Sequence, residues 1–325
     1  MVYAYNPDRS GLSEVKLLNL EPWRRYPTVD QLDPIKVFPR PDNLPRITKE
    51  TPIASIGSCF ARELKFWLKD NGFNFLQAGK GVCSKAGSAR YDRVYNTYSL
   101  KQEFERAFGS FEPVEEWWEV EDSGTKHLLD PYRRRIAWEN HQERKRELAQ
   151  HKEEVRKAFT EAELIIITVG QAEIWYNKLD GSVFPLVPPP DAFDKQKHSF
   201  RLTTVEENTQ NLQRIYDMIS AVNPTASIII TVSPVPLRAT FRHTSAVIAN
   251  SASKAILRAA VDSFVLSNSD NVWYFPAYEM VKEIIVNPFK EDHRHVRPEA
   301  IASIMDLFAS WVLEKKLNFY GHKFK

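Results

Sequence analysis

The amino-acid sequence predicts an α/β fold, a three-layer α/β/α sandwich with a central parallel sheet of the flavodoxin-like type. Three short segments, at 53–56, 163–169 and 227–232, have the length and the largely β-branched composition of strands that are buried on both faces. An aromatic run at 272–275 predicts a fourth strand. Segments of helical periodicity separate these strands, and this alternation is typical of a parallel sheet that helices cover on both faces.

Residues 1–50 are predicted to form an arm that precedes this domain. Seven prolines fall within the arm, which is too many for a long helix or a central strand. Trp23, Tyr26 and Phe38 are too apolar for a free tail, so we expect the arm to pack on the body in extended pieces. A partly disordered leader is the alternative. Residues 51–325 are predicted to form the α/β domain itself.

Apolar spacing defines the helices that link the strands. Phe60, Leu64 and Trp67 recur at helical spacing directly after the first strand, and a second short strand is predicted at 73–76. The remaining helices are predicted, in chain order, at 100–108, 139–159, from the cap at 203–206 to about 222, 245–267 and 298–313.

Residues 110–138 are aromatic and charged but lack clean periodicity, and we interpret them as an insertion. The insertion either covers a pocket or is a solvent-exposed surface segment. Its arginine run, Arg133–Arg135, is expected to be solvated, and Trp117 and Trp118 are expected to pack within it. The following helix is dense in glutamate, lysine and arginine, so it is expected to be mostly exposed.

The composition excludes several classes of protein. The chain has 325 residues and a net charge of +2, which does not favour nucleic acid or an anionic membrane as a partner. No apolar run approaches the roughly 20 residues of a membrane span, and the N-terminus does not resemble a signal peptide. Two cysteines, Cys59 and the structural candidate Cys83, do not form a disulfide scaffold, so we expect a cytoplasmic location.

Gly57, Ser58 and Cys59 lie at a corner where the first strand ends and a helix begins within two residues. The backbone N–H groups and the positive dipole end of that helix point at whatever occupies the corner. This environment stabilises a thiolate and the oxyanion that it generates, so the corner is a candidate nucleophile site. Gly170 and Ser233 also follow strands, and ligands of such sheets bind beyond the carboxyl ends of the strands.

Asp292 and His295 lie three residues apart between the last strand and the last helix. A carboxylate at this spacing can hold the ring by its Nδ1–H and leave Nε2 free as a base. We therefore expect the base and the nucleophile to come from opposite ends of the chain and to meet above the sheet. A metal site that includes His293 ranks lower, because no further ligand with metal-type spacing stands out, and no metal is expected.

These residues resemble a known family. Residues 57–61 resemble the namesake motif of the GSCFA-domain proteins, which look like a branch of the SGNH (GDSL-type) hydrolase fold. The stretch 166–175 is similar to the third SGNH block, and 231–241 fits the exit of the fourth strand. Residues 292–300 are similar to the block that carries Asp-x-x-His. The resemblance covers roughly residues 50–313, with the four stretches in the correct order.

The sequence departs from the SGNH pattern at the nucleophile. Cys59 stands where SGNH enzymes have serine, and Ser58 stands where they have aspartate. The resemblance therefore implies Cys59 as nucleophile, with Ser58 as a helix cap, a role that serine fills well. Attack by Ser58 is the open alternative.

A second departure concerns the oxyanion. Ala172 stands where the third block normally has an asparagine that binds it. Backbone N–H groups near Cys59, the loop around Gly87 or the amide of Gln171 would have to replace that asparagine. Gly170 and Gln171 are therefore candidate oxyanion or substrate residues. Glu173 is either a substrate contact or a buried partner of an arginine.

The resemblance implies an acyl esterase or O-acyltransferase that acts on an acetyl-type group of a sugar or a bacterial surface polysaccharide. Cys59 would attack the acyl group, with His295 as base and Asp292 orienting it. No cofactor is implied, although an acyl-CoA is a possible co-substrate. Two alternatives stay open: a non-catalytic ligand-binding module of this fold, and an unrelated cysteine-dependent or phosphate-binding protein that uses the N–H groups of residues 59–61.

Overall fold

A computed structural model describes residues 21–77, 87–89, 91 and 94–313, without the side chains of Cys59 and Phe60. The strands are β1 (Ile53–Gly57), β2 (Trp118–Asp122), β3 (Thr125–Leu129), β4 (Ala137–Trp138), β5 (Leu164–Val169), β6 (Glu173–Asn177), β7 (Val183–Phe184), β8 (His198–Leu202), β9 (Ser227–Val232) and β10 (Val272–Tyr274). The longer helices are α1 (Cys59–Asp70), α2 (Thr97–Ala107), α3 (His141–Glu161), α4 (Val205–Val222), α5 (Ala246–Ser267) and α6 (Pro298–Val312). Short helical turns lie at Pro22–Arg24, Val29–Gln31, Pro34–Val37, Ala277–Glu279 and Met280–Ile284.

The central sheet contains four parallel strands in the order β1-β5-β9-β10, which confirms the predicted fold class. The strand β5 is in the middle, where Ile166 lies opposite Ser55 on one side and Ile229 on the other. A single parallel bridge between Phe75 and Ile53 extends the sheet beyond β1, at the place of the predicted second strand. Because the strands run in one direction, their carboxyl ends meet at one edge of the sheet.

The sheet is the middle of three layers, because alternate residues of each strand face different cores. One core packs Ile165 and Ile228 against the helices α2, α3, α4 and α5. The other core packs Ile166 and Ile229 against α1 and α6. Among the described residues, no helix has both the length and the apolar composition that crossing a membrane requires.

Capping residues set the helix starts more closely than apolar spacing does. The helix α2 begins at Thr97, three residues earlier than predicted, because the side chain of Asn96 accepts a hydrogen bond from the N–H of Ser99. The helix α4 begins inside its predicted cap, where Thr204 and Glu207 form a reciprocal capping box.

Two small antiparallel sheets, in the orders β2-β3-β4 and β7-β6-β8, lie outside the central sheet. The first is formed within the segment 110–138, whose sequence does not predict these strands. The second directly follows β5. Their strands have two to five residues, which is too short for a period of two to stand out. A shared aromatic core of Trp118, Tyr132 and Phe184 joins the two sheets.

The expectation that the arginine run is solvated is wrong for Arg133, which is 1% exposed. Its guanidinium donates to Asp130 at 2.7 Å and to Glu147 of α3 at 2.6 and 2.9 Å. Burial opposes the charge, but these two carboxylates outweigh burial and raise the pKa of Arg133 above its ordinary value. The partner Glu147 lies fourteen residues away in the sequence, so local patterning does not reveal the pair.

The helix α3 is less exposed than its composition predicts, because its charged residues include the buried Arg144, His151 and Glu154. The Nε2 atom of His151 lies 3.1 Å from Oε2 of Glu103 in α2, and Arg106 lies 3.6 Å from the same carboxylate. His151 of α3 therefore belongs to a buried charged network with Glu103 and Arg106 of α2.

Residues 38–47 of the proline-rich arm contact the carboxyl-terminal end of α6. Arg40 and Arg46 donate hydrogen bonds to the carbonyl oxygen of Trp311, in the last turn of this helix. Cations are favourable there, because the last carbonyl groups of a helix lack partners within it. Leu44 and Ile47 are buried beside this contact. The division into arm and domain stays a prediction.

Candidate functional site

Gly57 ends β1 in close contact with the neighbouring strand. Its φ is +141°, and a Cβ atom at this position would lie 2.1 Å from the carbonyl oxygen of Thr168. Only glycine has both the conformational freedom and the small size for this contact. The helix α1 then begins at Cys59, so strand and helix are separated by Ser58 alone, as the sequence predicts.

Ser58 is buried at the bottom of this corner. Its backbone N–H donates to Oγ1 of Thr168 at 2.7 Å, and its hydroxyl shares a 2.9 Å hydrogen bond with the same atom. These contacts fasten the corner to the middle strand of the sheet. Cys59 opens α1, and its side chain lies outside the described part of the chain, as do all atoms of Cys83. The choice between Cys59 and Ser58 as nucleophile stays a prediction.

The carboxyl ends of β1, β5 and β9 meet around Gly170. A Cβ atom at Gly170 would lie 3.6 Å from Cβ of Ser58 and 3.7 Å from Cβ of Ser233. The N–H groups of Gly170 and Gln171 donate to the carbonyl oxygen of Tyr95 at 2.7 and 3.1 Å. The segment before α2 therefore crosses this edge of the sheet and holds the exit of β5 in place.

Lys254 of α5 lies behind this edge, although the sequence analysis does not single it out. It is 1% exposed, and its Nζ atom donates to the carbonyl oxygens of Gly170 and Ser233, each at 2.7 Å. One side chain thus joins the exits of β5 and β9. The sequence does contain a sign that Lys254 is buried, because this residue lies at helical spacing from Leu257 and Val261, on the buried face of the helix.

The backbone N–H groups at the exit of β5 are already occupied. In addition to the bonds from residues 170 and 171, the N–H of Ala172 donates to Oγ of Ser253 at 2.7 Å. In the loop around Gly87, the backbone N–H of Ser88 donates to the carbonyl oxygen of Ser55 at 3.0 Å. Gln171 is half-buried, and its side-chain amide has no hydrogen bond within the described part of the chain. This amide, the first N–H groups of α1 and the loop around Gly87 stay predictions as donors to an oxyanion.

Asp292 and His295 are hydrogen-bonded to each other, and the carboxylate binds Nδ1 of the ring, the nitrogen that the sequence predicts. The Nδ1–H of His295 donates to Oδ2 of Asp292, and the backbone N–H groups of His295 and Arg294 donate to Oδ1 at 3.0 and 3.1 Å. These hydrogen bonds, chiefly that from the His295 backbone, hold the pKa of Asp292 well below its usual range. No described residue forms a hydrogen bond with Nε2 of His295, so this atom is open to a substrate.

The structure does not place His295 against Ser58 within the described residues. The side chain of His295 is 59% exposed, whereas Ser58 is 2% exposed. The loop of the histidine nevertheless reaches the exit of β9, because Nη2 of Arg294 donates to the carbonyl oxygen of Pro236 at 3.3 Å. The predicted meeting of base and nucleophile therefore stays a prediction, although their two loops adjoin the same edge of the sheet.

Glu173 begins β6 and is 6% exposed. Its Oε1 atom accepts a 2.8 Å hydrogen bond from the hydroxyl of Thr240, a residue that follows β9. Burial raises the pKa of Glu173, although the Thr240 hydrogen bond and the charge of Arg242 act in the opposite direction. The charge of Arg242 therefore lowers the pKa of Glu173, but no ion pair joins these two described residues.

The chain matches the model of the GSCFA family over residues 52–308, a range that contains Gly57, Cys59, Asp292 and His295. It belongs to the GSCFA family. A comparison of this GSCFA protein with curated proteins finds no match.

Two of the solved structures that are similar to this GSCFA protein are esterases. A carbohydrate esterase family 3 protein from Talaromyces cellulolyticus has 9% sequence identity and a TM-score of 0.37, and the alignment covers 79% of this chain and 94% of that one. An acetyl xylan esterase from the rumen bacterium Butyrivibrio proteoclasticus has 15% identity and a TM-score of 0.25, over 49% of this chain and 38% of that one. Similarity at this level does not identify the reaction of this GSCFA protein.

The arrangement of these residues has chemical consequences. An imidazole held by a carboxylate can take a proton from a thiol or a hydroxyl. The first turn of α1 presents N–H groups that have no partner within the helix, and such groups stabilise a developing oxyanion. The candidate site of this GSCFA protein therefore contains a carboxylate–imidazole pair and a helix N-terminus near one edge of the sheet.

Proposed function

We propose that this protein is an acyl esterase or O-acyltransferase that acts on an acetyl-type group of a sugar or polysaccharide. The observation that carries the proposal is the contact between Asp292 and His295. The carboxylate occupies Nδ1, and Nε2 has no partner among the described residues. The exposed ring can therefore meet an ester that binds at the exits of β1 and β5.

The reaction begins with the thiol of Cys59, which transfers its proton to Nε2 of His295. The resulting thiolate attacks the acyl carbonyl and forms a tetrahedral oxyanion. As the oxyanion collapses, the bond to the ester oxygen breaks, and the imidazolium returns the proton to the departing alcohol. The acyl group is then held as a thioester on Cys59, and water or a sugar hydroxyl releases it by the same steps in reverse. Asp292 stays ionised throughout, because its hydrogen bonds keep its pKa low.

The oxyanion is bound by the backbone N–H groups of Cys59 and Phe60 at the start of α1 and by the amide of Gln171. The engaged N–H groups of residues 170–172 support this choice, since they leave no backbone donor at the exit of β5. An acyl-CoA is a suitable donor in this scheme, because its acyl group would pass from one thioester to another.

The main alternative is a binding module that has this fold but no turnover. Two observations favour it: Ala172 offers no side-chain donor to an oxyanion, and His295 is 59% exposed at its side chain. A module of this kind would bind its ligand without ever carrying a covalent acyl group.

Mass spectrometry of the protein during incubation with 4-nitrophenyl acetate separates the two candidates. We expect one acetyl group per chain, located on the peptide that contains Cys59, together with release of 4-nitrophenol. Replacing His295 by alanine is expected to slow acylation by about 10²–10⁴-fold, the usual contribution of a positioned base.

Matched variants identify the nucleophile. Cys59→Ala is expected to abolish the adduct, and Cys83→Ala is expected to leave it intact. An adduct that persists in Cys59→Ala but disappears in Ser58→Ala would transfer the role to Ser58. The absence of any adduct, with His295→Ala indistinguishable from the parent chain, would favour the binding module.

A further inference from the structure

Four aromatic side chains form a cluster just beyond the carboxyl end of the central sheet. We call Trp175, Phe193, Phe200 and Phe241 the aromatic platform. Trp175 is at its centre, with ring centroids 4.9 Å from Phe241, 5.4 Å from Phe200 and 5.7 Å from Phe193. Phe200 and Phe241 also contact each other, at 5.7 Å. The platform is therefore one continuous aromatic surface built from β6, β8 and two loops.

One side of the platform packs against the protein, and the other side is exposed to solvent. Trp175 packs against the aromatic core that joins the two small sheets. By contrast, Phe241 is 57% exposed and Phe193 is 43% exposed. A rigid aromatic surface that is left in solvent is typical of a site for a ligand, because it carries apolar area that the fold itself does not use.

Polar groups border this surface. Glu173 precedes Trp175 by two residues on β6, and Arg242 directly follows Phe241. The Nη1 atom of Arg242 and the Nε1 atom of Trp175 are buried and have no hydrogen-bond partner among the described residues. Each of these donors is costly to leave unpaired, and pairing with a ligand acceptor would require these side chains to turn toward the bound molecule.

The segment after β9 connects the platform to the candidate active site. Residues 233–242 leave β9, and this segment carries Phe241 of the platform and Thr240, which donates to Glu173. The same segment accepts the hydrogen bond from Arg294 at Pro236, next to the loop of His295. A ligand on the platform would therefore lie on the same segment that contacts the loop of the Asp292–His295 pair.

We propose that the aromatic platform, with Glu173 and Arg242, is a subsite that binds the sugar ring of the ester substrate. This inference rests on the proposed function for its link to the reaction. The C–H groups of a pyranose ring complement the electron-rich face of an aromatic ring. Its hydroxyl groups match the carboxyl, guanidinium and indole N–H groups at the border. An acyl chain would use the aromatic rings but would leave these polar groups unpaired, and so it fits the site less well.

Calorimetric titration of the full chain with cellohexaose, xylohexaose and hexa-N-acetylchitohexaose tests the subsite without requiring turnover. We expect at least one of these neutral saccharides to bind. Phe241→Ala is expected to weaken that binding about tenfold, while Phe241→Tyr, which keeps the ring, retains it. Glu173→Gln removes the charge and is expected to weaken it by about tenfold or more. Phe66→Ala is the matched control, because Phe66 is 42% exposed on α1 and belongs to no ring pair of the platform.

Each outcome decides the matter. No binding of any of the three saccharides, or equal weakening by Phe66→Ala and Phe241→Ala, would overturn the subsite. Dependence of 4-nitrophenyl decanoate turnover on Phe241, without saccharide binding, would assign the platform to an acyl chain and also overturn it. Saccharide binding without any acetyl adduct on Cys59 or Ser58 would refute only the proposed function. Ester turnover without saccharide binding would refute only the subsite.

Discussion

Replacement of Gly57 by alanine tests whether the corner between β1 and α1 depends on a contact that admits no side chain. The new Cβ atom would lie 2.1, 2.4 and 2.8 Å from O, Oγ1 and N of Thr168. Two of these atoms belong to the backbone of β5, which pairs with strands on both sides and cannot move away. The substitution therefore has to shift β1 or its helix.

The expected loss of stability in Gly57→Ala is the sum of two effects. The positive φ of Gly57 costs an alanine about 1–3 kcal/mol. Overpacking against a strand of the core adds about 1–3 kcal/mol. We therefore expect the free energy of unfolding to fall by about 2–6 kcal/mol, which is a large part of the usual stability of a domain.

The matched control is Gly109→Ala. Gly109 also has a positive φ, of +77°, but a Cβ atom there would meet nothing within 4 Å. It therefore isolates the conformational cost, about 1–2 kcal/mol. Urea unfolding of both variants, followed by tryptophan fluorescence, measures the difference. If Gly57→Ala lost no more stability than Gly109→Ala, the contact with Thr168 would not be what selects glycine at this corner.

Three further predictions concern buried charges. Lys254→Met removes the donor to two buried carbonyl groups and is expected to lower the free energy of unfolding by about 2–4 kcal/mol in urea titrations. Arg133→Met leaves two carboxylates without their cation and is expected to cost about 3–5 kcal/mol in the same measurement. Acid is expected to destabilise the protein in two stages. Burial and nearby arginines lower the pKa of His151, so stability declines below about pH 6.5 as the unfolded chain gains this proton first. Burial would raise the pKa of Glu103, but the His151 hydrogen bond and nearby cations outweigh it and lower that pKa, so a second loss follows below about pH 4.3.

Exposed charges on α3 serve as controls for the first two predictions. Lys145→Met and Arg146→Met remove such charges, and their unfolding free energies are expected to stay within about 0.5 kcal/mol of the parent. Equal losses in the buried and exposed variants would contradict the contacts of Lys254 and Arg133. His151→Gln is expected to flatten the first stage of the acid profile, and an unchanged profile would assign that stage to another group.

Much of the candidate site was accessible from short-range sequence features. The corner at Gly57 and Cys59 follows from a strand that ends on glycine next to a helical repeat. The contact of Asp292 with His295 follows from a spacing of three residues on a loop, which lets one carboxylate reach both the ring and the backbone of its neighbour. Such features involve neighbouring residues, so the sequence carries them without knowledge of the fold.

The second half of the site was not accessible in this way. Thr168 contacts Ser58, which lies 110 positions earlier in the chain. Lys254 contacts Gly170, which lies 84 positions earlier. These long-range contacts hold the strand exits in place. The aromatic platform likewise joins Trp175 to Phe241 across β6 and the exit of β9. Strands of two to five residues carry too little periodicity to reveal β6, β7 and β8 before the fold brings them together.

The sequence by itself determined the order of strands and helices in the central domain, because runs of β-branched residues and helical repeats are local properties. It also determined which reactive side chains follow the strands. Only the tertiary structure decided the environment of those side chains: which N–H groups are already occupied, that Arg133 and His151 are buried, and that aromatic rings from separate segments form one surface. These outcomes depend on burial and long-range pairing, which arise only when distant parts of the chain share one core.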